Sequence, residues 1–115
     1  MKLSYLTALI AVPLLATGCA TVRGAAPGDE LVGRTLRMQT TNGQVTTLQF
    51  RGNGTVHAAF GSGSLEGRWD VEDRSLCFFW PRAPRECWPY RAPFERGRTR
   101  SVTSDRGNVL RVTLL

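Results

Sequence analysis

The chain predicts an all-β fold, a small antiparallel meander closing into a roughly eight-stranded barrel, with an open β-sandwich as the alternative. Three observations carry that expectation. Turn-forming clusters recur at Asn42-Gly43, Gly52-Asn53-Gly54, Gly61-Ser62-Gly63-Ser64, Glu72-Asp73-Arg74-Ser75 and Asp105-Arg106-Gly107-Asn108. The runs between them alternate apolar and polar residues, the period of a half-buried strand. No run after the first 28 residues keeps helical apolar spacing beyond about one turn.

The elements follow in order. Asp29-Glu30-Leu31-Val32 is expected to make one helical turn, capped by Asp29, with its apolar pair plugging one end of the fold. Leu36 and Met38 then alternate with Arg37 and Gln39, and Leu48 and Phe50 with Gln49 and Arg51. A strict two-residue Asn42-Gly43 loop would split these apolar residues between faces, because a one-residue slip flips every side chain. A three-residue loop or a bulge at Gly43 is therefore expected, pairing Met38 with Leu48 and Leu36 with Phe50. The next turn pairs Phe50 with Val56 and Leu48 with Ala58. After Gly61–Ser64, Leu65 should face Phe60 and Trp69 should face Val56. After Glu72–Ser75, Leu76 faces Val71 and Phe78 faces Trp69. Five successive strands thus share one apolar face. Further strands near 86–90, 98–104 and 109–114 bring the count to eight, about what a small closed barrel needs to remove its exposed edges.

The N-terminus reads as an export signal. Lys2 precedes a mostly apolar run, Leu3 to Leu15, that contains Pro13. Such a run is too short for a bilayer core, which needs about 20 apolar residues. It ends in Leu14-Leu15-Ala16-Thr17-Gly18-Cys19, which resembles the lipobox of bacterial lipoproteins. The resemblance implies that residues 1–18 are removed and that Cys19 carries three fatty acyl chains, palmitate among them, a permanent membrane anchor. Ala20 follows Cys19 where an Asp would mark inner-membrane retention in enteric bacteria. The periplasmic face of the outer membrane is then the expected address. The alternative is an ordinary secretory peptide cut near Ala20, which would discard Cys19. On this reading residues 1–18 are signal peptide, 19–28 a lipidated tether and 29–115 a single β-barrel domain. The mature 97 residues suffice for one modest core.

With Cys19 assigned to lipid, Cys77 and Cys87 remain, an even pair in an oxidising compartment. They flank a hairpin tipped by Trp80-Pro81-Arg82-Ala83-Pro84, and a disulfide between them is expected. Two Cys and the lone His57 do not supply the four ligands of a closed zinc site, so no metal or other cofactor is expected.

Gly67-Arg68-Trp69, Leu76-Cys77 and Cys87-Trp88 together form a G-x-W…L-C…C-W pattern. It resembles small secreted or lipid-anchored bacterial β-barrels described as lipocalin-like, over about residues 31 to 90. The resemblance implies structural roles: Gly67 permits close strand contact, Trp69 fills the core and the cysteines staple a hairpin.

Catalysis finds no motif. His57 points away from the Val56/Ala58/Phe60 face, no base–nucleophile–acid set is positioned by spacing, and no phosphate or dinucleotide fingerprint occurs. A non-enzymatic role is expected. The charge is more suggestive. Lys2 is the only lysine, so 14 of the 15 cationic side chains are Arg, and loss of residues 1–18 leaves a net charge of +5. Arg82, Arg85, Arg91, Arg96, Arg98 and Arg100 crowd the segment 82–100 against Glu86 and Glu95, with Trp80, Trp88, Tyr90 and Phe94 interleaved. Nucleic acid is not expected outside the cytoplasm, whereas an envelope protein or anionic lipid suits such a surface. The candidate partner or anion-binding residues are Arg82, Arg85, Trp88, Tyr90, Arg96 and Arg98. Pro89 and Pro93 exclude regular pairing from the Trp88–Arg98 connection, a loop of the kind that carries binding residues. Trp88 and Tyr90 have a second possible role, folding inward to cap the barrel.

The expected function is that of an exported, lipid-anchored envelope lipoprotein acting as a non-catalytic binding or scaffold module. One alternative is an inhibitor of an envelope protease or lysozyme, acting through a rigid loop such as Trp80–Glu86. The other is a carrier of a small apolar ligand. Trp69, Phe60, Phe78 and Phe50 are expected to leave such a carrier little cavity.

Overall fold

A 3-10 turn, Asp29–Leu31, precedes eight strands: β1 (Thr35–Thr40), β2 (Val45–Phe50), β3 (Thr55–Phe60), β4 (Gly63–Glu72), β5 (Ser75–Phe79), β6 (Glu86–Pro89), β7 (Thr99–Thr103) and β8 (Val109–Leu114). The structure, a computed structural model, describes residues 26–115. The residues read from sequence as signal peptide, Cys19, and the segment read as tether as far as Ala25 lie outside the described residues. All strand pairs are antiparallel in one sheet of order β6-β5-β4-β3-β2-β1-β8-β7, so the sheet curls until its edges β6 and β7 face each other in a nearly closed barrel.

Turn chemistry sets each register. Between β1 and β2 the loop is Thr41-Asn42-Gly43, closed by Thr40 N–H donating to Gln44 O at 2.9 Å, with Gly43 at φ 89°. The three-residue loop is as expected, but Leu36 pairs with Leu48 and Met38 with Thr46, two residues from the expected partners. The cause is local: such a loop needs its left-handed residue in third place, and of these residues glycine takes that conformation at least strain. The extra loop residue is therefore Thr41, not Gln44. β2 and β3 pair as expected, Phe50 with Val56 and Leu48 with Ala58. Between β3 and β4 the expected pairing shifts again by two, Phe60 meeting Gly63 and Val56 meeting Gly67. Gly61 at positive φ followed by Ser62 suffices for a tight two-residue turn, so Gly63 and Ser64 join β4. Both corrections are even-numbered, so the same face stays buried. β4 and β5 pair as expected, across Asp73 and Arg74, both at positive φ.

The barrel has two unlike ends. At one, Leu31 is fully buried and plugs the interior, while its neighbour Val32 is 42% exposed. The expected apolar pair is thus a single plug, because the chain turns outward at Val32, where Gly33 N–H bonds Phe50 O. Asp29 does not cap the turn; Gly28 occupies the cap position at φ 93°, and the Asp29 carboxylate accepts Ala26 N–H instead. Gly28 is buried under Trp69 and Val71, so the packed domain includes residues read from sequence as tether. Phe50, Leu36, Leu48, Leu76, Val56, Val112 and Leu114 form the interior, each worth about 1.5–3 kcal/mol of burial. Trp69 meets Phe50 edge-on at 5.1 Å and donates its indole N–H to Arg51 O.

Cys77 and Cys87 are register partners on β5 and β6 and form a disulfide. Asp105 closes the seam beside it: its backbone N–H donates to Cys87 O, and its carboxylate accepts Cys87 N–H, both at 2.9 Å. With Pro89 lacking an N–H, β6 is a blunted edge.

Candidate functional site

The arginine–aromatic cluster read from sequence does not come together. Trp88 and Tyr90 are 3% and 5% exposed, and Phe94 is likewise buried. Trp88 and Tyr90 take the second role read from sequence, inward packing, and not that of an exposed partner surface: alternation on β6 turns Trp88 inward against Phe78, and Tyr90 folds under the plug. Arg82 and Arg85 are exposed in the loop between β5 and β6, whereas Arg96 and Arg98 are exposed in the connection at the opposite, plugged end. Arg98 reaches Glu95 at 3.4 Å, a solvent-exposed pair of small energetic weight.

The connection is held by contacts that spacing does not reveal. The Tyr90 hydroxyl donates to Glu30 and accepts the N–H of Gly28, while Glu30 also accepts Phe94 N–H at 2.9 Å. Burial, and then the bond to Glu30, pushes the Tyr90 phenol up to about 12. Arg100 donates to the carbonyls of Ala92 and Pro93 and lies 4.2 Å over the Phe94 ring. It is a fastening, not a free cation. Pro89 and Pro93, read from sequence as barring regular pairing, were the only signal that side chains must hold this segment.

His57 lies on the outer face, as its alternation predicts, hydrogen-bonded to Glu66, which also meets Arg51 at 2.9 Å. Those two partners, His57 first, hold the Glu66 carboxyl below its usual range. Among the described residues no three His, Cys, Asp or Glu are placed to hold a metal ion.

Two of the concavities among the described residues lie at the barrel's seam and at its mouth. One, of about 740 Å³, runs along the outside of the seam past the disulfide, with Arg74, Arg85 and Arg91 set against Glu72, Asp73 and Asp105. Its charges offset one another, and its floor is a staple. The other, of about 440 Å³, opens at the end of the barrel opposite the plug. Its walls come from strands on opposite sides of the interior: Met38 of β1, Leu48 of β2, Phe78 of β5, Trp88 of β6 and Leu110 of β8. Trp80 completes it. The ring stacks on Phe78 at 5.8 Å with planes 5° apart, and it lies directly on Gly67, where a Cβ would come within 2.4 Å of it. Gly67 thus makes room for this tryptophan side chain, where the resemblance implied a close contact between strands. Thr40, Thr41, Glu86 and Asn108 supply a polar rim, with Asn108 donating to Glu86.

The concavity at this end is shallow, as the aromatic residues lead one to expect: Leu48, Phe78 and Trp88 at its floor are only 1–3% exposed. Phe50 and Trp69 fill the plugged half, Phe78 packs against Trp80 and Trp88 in the other, and Phe60 folds over Gly63 at the rim, so what remains is a concavity at the mouth. An open, mostly apolar mouth with a few polar groups is a common form of small-molecule site. Scans of the chain against protein-family models, curated proteins and solved structures find no match.

Proposed function

We propose that this chain is an exported, lipid-anchored lipoprotein of the bacterial cell envelope that works without catalysis as a binding module, and that its site is the open mouth of the barrel. Leader, lipobox and Ala20 support the anchor at Cys19 and an outer-membrane address. One observation carries the site: an open concavity of about 440 Å³ over Met38, Leu48, Phe78, Trp80, Trp88 and Leu110, on a barrel whose other end is plugged. Its volume falls in the range of small-ligand sites, roughly 300–1,000 Å³. Its lining suits a small apolar molecule or a single alkyl chain, which favours the carrier form of the binding module. The inhibitor reading loses its anchor, because Trp80 turns inward onto Gly67 and Phe78 and is not offered to a partner.

Titration with a neutral aminoanthracene dye, followed by dye emission and tryptophan quenching, tests the site. Saturable binding that weakens at least about tenfold in Leu110→Arg, about 1.4 kcal/mol, is the expected outcome. Equal binding by the folded variant, or no binding by the parent, would refute it.

A further inference from the structure

We infer that the plugged end of the barrel docks on the anionic headgroup surface of the bilayer that holds the anchor, so that the mouth faces away from that membrane. The inference rests on the lipid-anchor reading and adds an orientation to it.

The first argument is where the chain enters the fold. Ala26 and Gly28 are fixed at the plugged end by Asp29 and Tyr90. Seven residue steps separate Cys19 from Ala26, at most about 25 Å of chain. A lipidated Cys19 therefore confines this end close to the headgroups and raises the effective concentration of any weak surface contact there.

The second argument is what this end exposes. The connection presents Arg91, Arg96 and Arg98 to solvent against one acid, Glu95. Two other acids nearby are engaged in the fold, Asp29 by Ala26 N–H and Glu30 by Tyr90 and Phe94. Arg91 also lines the outer concavity beside Glu72, Asp73 and Arg74, and Arg98 reaches Glu95 at 3.4 Å, while Arg96 makes no ion pair among the described residues. Two large apolar side chains are exposed at the same end, Val32 at 42% beside the β2–β3 turn and Leu115 at 51% following Leu114, which Gly97 N–H bonds. Arginines with exposed aliphatic groups, on the end from which the tether leaves, fit an anionic interface: the guanidinium groups meet phosphate and the apolar groups enter the headgroup layer. Each arginine near such a surface favours docking by about fivefold.

The test uses the full-length protein expressed with its own leader, purified from membranes and placed in phosphatidylglycerol-rich or pure phosphatidylcholine vesicles. Mass spectrometry of the N-terminal peptide reads acylation of Cys19, and amide hydrogen exchange reads docking. Slower exchange of segments 91–98 and 113–115 in the anionic vesicles alone, with the mouth loops 41–43, 81–85 and 105–107 unchanged, is the expected result. The variant Arg91→Gln/Arg96→Gln/Arg98→Gln should lose that slowing, by about 100-fold in the docking equilibrium. Equal exchange in both lipids, or slowing at the mouth loops, overturns the orientation while leaving an acylated Cys19 intact. An unacylated Cys19 overturns the anchor; the same protein added to preformed vesicles then still reads docking, and unchanged exchange at 91–98 overturns that too.

Discussion

Replacing Tyr90 with Phe deletes one oxygen from a barrel end that depends on it. The hydroxyl donates to Glu30 and accepts the Gly28 N–H at 3.0 Å, and the ring is 5% exposed. Losing a hydrogen bond to a carboxylate costs about 1.5–3 kcal/mol, and stranding a buried N–H costs about 1–3 kcal/mol more. Glu30 is half-buried and partly solvated, so the lower end of the combined range applies, about 2–3 kcal/mol. For a domain of this size that lowers Tm by roughly 10–20 °C. Hydrogen exchange should locate the loss, with the amide of Phe94 and its neighbours in the connection exchanging faster than the β1–β3 core. The pH dependence provides a second reading. The phenol is pushed up to about 12 in the fold, against about 10 when unfolded. The folded state therefore holds the proton more tightly, and this contribution is full below pH about 10 and is lost as pH rises through about 12. Tyrosinate absorbance of the parent should rise in that upper window, and Tyr90→Phe should lack the matching loss of stability. A variant melting within about 3 °C of the parent, with unchanged exchange at the connection, would show that the hydroxyl does not hold the plug.

Further outcomes follow from other contacts. Cys77→Ser/Cys87→Ser opens a loop of about 11 residues and should lower stability by about 2.5–3 kcal/mol in the chain-entropy account, seen as a lower denaturant midpoint under oxidising conditions only. Gly67→Ala places a methyl group 2.4 Å from the Trp80 ring and 3.0 Å from Phe79 O; Trp80 should leave the mouth, red-shifting its fluorescence, at a cost of about 1–3 kcal/mol. Cys19→Ala should release the protein from the membrane fraction, and retention there would sink the lipid anchor. Arg100→Gln removes the fastening on Ala92 and Pro93 and should loosen the connection in hydrogen exchange while the β2–β4 core keeps its protection.

Much of the barrel was legible because strand alternation and turn residues are local properties. Phe50, Val56, Leu76 and Phe78 could be set on one face from their period alone, and the pairings across Gly52-Asn53-Gly54 and Asp73-Arg74 follow from loop length. The two registers that moved did so where the sequence offered more than one loop, and the left-handed demand on Gly43 and Gly61 decided between them. The Cys77–Cys87 pair was legible for the same reason, as partners across one hairpin.

The candidate site was less so. Arg82, Arg85, Arg96 and Arg98 are neighbours in sequence, yet the chain between them runs the length of the barrel wall, so they end on opposite ends. Trp88 and Tyr90 carry no local mark of whether they meet solvent or core; β6 pairing with β5 and the Glu30 carboxylate, 60 residues from Tyr90, make that choice. The same holds for the mouth, whose lining is assembled from strands that meet only when the sheet curls. By itself the sequence determined the strands, their apolar face, the staple and the charge, because each depends on residues near in chain. Tertiary structure alone decided which aromatic rings are spent on packing and where space remains, because closing the sheet juxtaposes residues whose separation no local pattern encodes.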